Sequence, residues 1–133
     1  MSDREQEMIN GLRRAYDAFN RGDFDTAIEL AHPAIEYVPP GGQAPRSGAD
    51  AVRAWMEPDA FESQQVQPRE FRINGNKALV RQRIRARGAG SGVELDNEMC
   101  MVWTFDDDGL VTRAEAFLTH QDAEALEAAG LSE

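Results

Sequence analysis

Apolar residues near the start of the chain recur at helical spacing. Met8, Ile9, Leu12, Ala15, Tyr16 and Phe19 fall on one face of a helix predicted over 2–21. Ser2 and Glu5 form a capping box, in which each side chain bonds the other residue's free backbone N–H. Gly22 stops this helix, and Asp23 caps a second, short one carrying Phe24, Ala27, Ile28 and Ala31. Pro33 prevents that helix from continuing, which sets His32 at its end, where a cation would complement the helix dipole. The stretch IEYVPPGG at 35–42 then alternates like a short strand, with Ile35 and Tyr37 on one face, and breaks in a tight turn. A third helical stripe, Val52, Trp55 and Met56, follows and is closed off by Pro58.

Beyond residue 65 the period changes to two. Val66–Ile73, Ala78–Arg87, Val93–Phe105 and Leu110–Leu118 read as four extended runs, separated by the turn sequences NGN, GAGSG and DDDG. A last helix is predicted at about 121–129, ending at Gly130. Helices first and strands afterwards give an α+β domain, with the N-terminal helices packed on one face of a curved antiparallel sheet. No repeat or linker interrupts the chain, so 1–133 reads as a single domain.

Strand alternation separates the faces of this sheet. Leu95, Asn97, Met99, Met101, Trp103 and Phe105 share one face with Ala114, Ala116 and Leu118. Glu94, Asp96, Glu98, Cys100 and Val102 share the other with Arg113, Glu115 and Phe117. Arg81, Arg83, Arg85 and Arg87 add cations to that second face, which reads as cross-strand ion pairs on a solvated or subunit-facing surface. The first face must meet the helices. Its small alanines opposite large Met99, Met101 and Trp103 fit either a plainly packed core or the wall of a pocket.

Charge narrows the partners. The net charge of −10 repels phosphate backbones and anionic lipid, so neither nucleic acid nor membrane is expected as a partner. Cys100 is the single cysteine, which excludes an internal disulfide. The opening MSDREQEM lacks the apolar stretch of a signal peptide, and a cytoplasmic location is expected. His32, His120 and Cys100 have no metal-ligand spacing, and DDDG lacks the later ligands of a calcium loop, so neither a metal nor a cofactor is expected.

The run FNRGDFDTA, then HPAIEYVPPG, then APRSGADAVRAW, four long strands and a terminal EALEAAGL together resemble the nuclear transport factor 2-like superfamily. The similarity is to its SnoaL-like and ketosteroid-isomerase-like branch and covers almost the whole chain. It implies a cone-shaped cystatin-like α+β fold with a deep apolar pocket, as a homodimer formed through sheet faces. Activity has to be checked position by position. The isomerases' tyrosine donor falls on Ala15, their proton-abstracting aspartate on Pro39 and their second donor on Met101. Tyr16, one residue on, leaves the helix about 100° away and is expected to point elsewhere. An acid of limonene-type epoxide hydrolases falls on Leu118.

The expected function is therefore the binding of a small hydrophobic molecule in an apolar pocket without isomerase residues. Trp55, Asn97, Met99, Met101, Ala114, Ala116 and Leu118 are its expected lining, with Tyr37 near the mouth and Asn97 orienting the ligand. The alternative is an isomerase- or polyketide-cyclase-like enzyme with a non-standard acid or base. His120 is the candidate, because an extended last strand would give it the parity of Ala114 and Ala116.

Overall fold

The computed structural model describes residues 2–56 and 61–131, leaving aside side-chain detail at 42, 55 and 61. Helix α1 spans Asp3–Asn20 and begins with the expected capping box of Ser2 and Glu5. It turns Met8, Leu12 and Tyr16 inward, all buried. Helix α2 is only one turn, Phe24–Ala27, capped by Asp23, whose carboxylate accepts the Thr26 backbone N–H. Hydrogen bonding from the Thr26 side chain, and then from its backbone N–H, holds the Asp23 carboxyl below the usual carboxylate range.

Strand β1 runs Ala31–Val38 and thus takes over residues the helical spacing had assigned to α2. Its start is fixed by a distant partner, since the Val111 backbone N–H donates to the Leu30 carbonyl. His32 consequently ends no helix; its Nδ1 accepts the Ala34 backbone N–H. The PPGG segment makes a 3-10 turn at Pro40–Gly42, in which Gly41 takes a φ of +79°. A two-residue strand β2, Arg46–Ser47, returns along β1, and helix α3 follows at Ala49–Met56. Pro58, the expected stop for α3, lies outside the described residues.

Strands β3 (Phe61–Asn74), β4 (Lys77–Gly88), β5 (Glu94–Phe105) and β6 (Val111–Leu118) form the antiparallel meander that the period-two runs predict. The sheet order is β2-β1-β6-β5-β4-β3, curved and unclosed. One pair departs from the antiparallel expectation: β1 lies parallel to β6, with Tyr37 opposite Ala114. Helix α3 and strands β3–β5 separate β1 from β6 along the chain, which leaves room for the crossover that a parallel pair needs.

Both faces of the sheet are covered at its centre. On the concave face Ala78, Val80, Met101, Phe105, Ala114 and Ala116 pack against α1 and α3. On the convex face Leu79, Cys100 and Val102 lie under the C-terminal helix α4, Asp122–Ala128, through Ala125, Leu126 and Ala129. The expectation of an ion-paired, solvated or subunit-facing surface is thus corrected where α4 covers the face. The uncovered remainder of the convex face is ion-paired: Arg83 holds Asp96 by two bonds of 2.7 and 2.5 Å, and Arg81 bridges Glu70 and Asp122. No helix among the described residues is long and apolar enough to cross a membrane.

Candidate functional site

The helices of the concave face leave a cavity of about 130 Å³ between themselves and the sheet. Helix α1 contributes Leu12, Ala15, Tyr16 and Phe19, and the α2–β1 segment closes one end with Ile28, Leu30 and Ala31. The floor is Ile35 and Tyr37 of β1, Ala114 of β6, Met101 and Trp103 of β5, and Gln82 of β4. Small Ala15 and Ala114 stand where a larger residue would fill the space.

Apart from the hydroxyls of Tyr16 and Tyr37 and the indole N–H of Trp103, the described wall is apolar except at Gln82. Gln82, 5% exposed, is the only buried polar or charged residue among those described. It follows the inward parity of Ala78 and Val80, opposite Met99 on β5. The Tyr16 hydroxyl donates to Gln82 Oε1, and the Trp103 Nε1–H donates to the Tyr16 oxygen at 3.3 Å. The Tyr16 and Trp103 rings meet edge to face, 6.0 Å between centroids and 87° between planes. Burial pushes the Tyr16 phenol well above the ordinary tyrosine range, with the Trp103 bond only partly offsetting it. Tyr37 is likewise pushed up by burial, to about 12. The hydroxyls on this wall therefore stay protonated at neutral pH.

Of the residues the sequence singles out, Tyr37, Met101 and Ala114 line the cavity. Met99 is partly buried at the edge of the concave core, and Ala116 is buried within it, neither on the cavity wall. Asn97 and Leu118 are corrections. Asn97 is exposed and Leu118 is 38% exposed, because the strands run on past the end of the helical cover. The side chain of Trp55 lies outside the described residues. His120 is a third correction. The strand stops at Leu118 and a 3-10 turn over Thr119–Gln121 carries His120 to the surface, away from the cavity.

Tyr16 was expected to leave the helix in another direction from Ala15, yet both border the cavity. A 100° rotation still lies within the wide apolar face of α1, and the long phenol spans the remaining distance. Gln82 is hidden in the sequence because it sits between Arg81 and Arg83 in a run that reads as solvent-facing. Its parity with Ala78 and Val80 was the available signal.

No cluster of His, Cys, Asp and Glu that could hold a metal occurs among the described residues. Pro39 at the end of β1 is buried and carries no acid, and the adjacent turn provides none.

Residues 12–114 match the family of the SnoaL-like domain. Among solved structures, a putative SnoaL-like polyketide cyclase from Jannaschia sp. CCS1 is 18% identical, with 93% of each chain covered and a TM-score of 0.79. The epoxide hydrolase/cyclase-like enzyme SalBIII, with a role in pyran ring formation in the polyether salinomycin, is 19% identical over 92% of this chain and 97% of its own, with a TM-score of 0.78. An LEH-like epoxide hydrolase of M. tuberculosis is 16% identical over 93% of this chain and 92% of its own, with a TM-score of 0.73. At these identities the likeness carries the fold alone. No curated protein matches the chain.

Proposed function

The chain belongs to the SnoaL-like domain family, and from that premise we propose that its cavity binds one small, largely apolar molecule. The observation that carries this reading is the wall itself. Its polar side chains, Tyr16, Tyr37, Gln82 and Trp103, are all uncharged, and everything else on it is hydrocarbon or thioether. A cavity of about 130 Å³ is close to the ~150 Å³ apolar cavity that accommodates a benzene ring. The ligand, or the part of it that enters, is thus about one six-membered ring in size.

Proton transfer at carbon needs a base within hydrogen-bond reach of the substrate. No Asp, Glu or His lines the cavity among the described residues. The isomerase- or cyclase-type alternative depended on His120, which is exposed on the turn beyond β6. Binding is therefore the better-supported reading. We further propose that the chain forms a homodimer through the part of the convex face that α4 leaves uncovered.

Calorimetric titration with toluene tests the cavity. Saturable single-site binding is expected in the wild type. In Ala114→Leu an isobutyl group occupies the space, at a cost of ~1–3 kcal/mol in overpacking. That variant should keep a cooperative melt and lose binding at least about tenfold. Equal affinity in both proteins would remove the cavity from the account.

A further inference from the structure

Resting on the reading of the cavity as a binding site, we propose that the Gln82 carboxamide is its specificity-determining group, selecting a ligand with a carbonyl oxygen on a hydrocarbon frame.

Hydrogen-bond accounting on the cavity wall leads to this assignment. An indole N–H can only donate, so the 3.3 Å contact makes the Tyr16 oxygen the acceptor from Trp103. The single proton of Tyr16 goes to Gln82 Oε1. That direction fixes which end of the amide faces Tyr16: it must be the carbonyl, and the NH₂ group is turned away from it. Tyr16 and Trp103 thus act as positioning residues for Gln82. No described residue accepts a hydrogen bond from Gln82 Nε2, although the side chain is buried and borders the cavity.

Among the described residues the only fully enclosed side-chain nitrogen or oxygen without a partner is Thr104 Oγ1, so Gln82 Nε2 keeps accessible surface on a residue that lines the cavity. A donor left unmet in such apolar surroundings is costly, and the cavity offers two ways to meet it. A water would need roughly 2–4 polar partners. The aliphatic and aromatic wall around Gln82 supplies few. A ligand oxygen attached to a hydrocarbon satisfies the amide and fills the apolar space together.

The free group is a donor, and this decides between ligand classes. A carbonyl accepts and brings no proton that needs a home. A hydroxyl brings one, and an amine or ammonium opposes donor to donor. A carboxylate would bury a charge against one neutral amide, with no cation among the described wall residues. Ketones, aldehydes, quinones and esters remain, and among them the smaller ring compounds suit the volume.

Cyclohexanone and methylenecyclohexane are matched probes, differing by C=O against C=CH₂. Their affinities should be measured by calorimetry against the wild type, Gln82→Leu and Tyr16→Phe. The wild type should prefer the ketone by about tenfold, the value of one neutral hydrogen bond made in an apolar site. In Gln82→Leu that preference should vanish while the alkene still binds. Tyr16→Phe, which frees the amide to rotate, should reduce the preference without abolishing it. Should the leucine variant fail to fold, Gln82→Met keeps the side-chain length without the amide and carries the same expectation. Equal binding of both probes to the wild type would overturn the donor assignment and leave the cavity reading standing. A ketone preference that survives in Gln82→Leu or Gln82→Met would likewise overturn it. If neither probe binds the wild type, both readings fall.

Discussion

Tyr16, Gln82 and Trp103 place three polar groups inside an apolar core, and their value depends on being partnered. Tyr16→Phe leaves the Gln82 carbonyl and the Trp103 N–H without their shared partner. A loss of ~1–3 kcal/mol is expected in urea denaturation. The double variant with Gln82→Leu should be less destabilised than the sum of the single ones, because both ends of the bond then become apolar. The chain has two tyrosines, and burial raises the phenol pKa of both. An unfolded tyrosine ionises near pH ~10. Between that pH and the higher folded pKa the unfolded chain binds fewer protons than the folded one, so stability must fall as pH rises. Phenolate absorbance should stay flat through pH ~10 in the native protein and then appear together with unfolding. A native phenolate signal near the ordinary tyrosine value would mean that these hydroxyls are not enclosed.

At the scale of elements, α4 is the piece whose docking can be tested separately. Its C-terminus closes with Gly130 at a φ of +70°, where the Gly130 N–H bonds the Glu127 carbonyl and the Leu131 N–H bonds that of Leu126. A methyl at Gly130 would also stand 2.8 Å from the Asn74 side-chain nitrogen, which holds the Ala129 and Gly130 carbonyls. Gly130→Ala should cost ~1–2 kcal/mol from the left-handed backbone alone. Cys100 lies beneath α4, and burial foremost, with the Asp122 carboxylate, pushes its thiol up to about 11. Alkylation at neutral pH should be negligible in the native wild type and quicken in Leu126→Ala, which cuts away the side chain that covers it. Alkylation as fast in the wild type as in the variant would show that α4 does not seal this face. Much of this architecture was legible in the sequence: the capping box, the apolar stripe of α1 and the period-two meander are local signals. The extent of β1 was not, because it is settled by a backbone bond from Val111, far along the chain. Nor was the position of α4, since a short alanine-rich helix has no pattern that chooses a face. In the cavity, parity identifies Met101 and Ala114, but it does not say where the helical cover ends, and so it puts Asn97 and Leu118 inside as well. Gln82 was masked by its arginine neighbours.

The whole molecule combines a strongly acidic surface with arginines already paired to acids on the convex face. Arg83 with Asp96, and Arg113 with Glu36 and Glu115, satisfy each other within one chain. The proposed dimer should therefore depend on these pairs mainly by holding the surface flat and neutral. Light scattering is expected to give twice the chain mass of 14.8 kDa at micromolar concentration. A monomer there would remove the dimer and leave the cavity untouched, since every described wall residue belongs to one chain. The claim on which the account depends is that a carbonyl compound enters between α1 and the sheet and meets Gln82. The most direct measurement is a nuclear magnetic resonance titration with cyclohexanone, following the side-chain NH₂ of Gln82 and the indole N–H of Trp103. Both resonances should move along one saturable curve, the Gln82 amide furthest, while the signals of exposed Asn97 stay still. Shifts confined to the uncovered end of β5 around Leu95 and Asn97, with Gln82 and Trp103 unmoved at saturation, would contradict it.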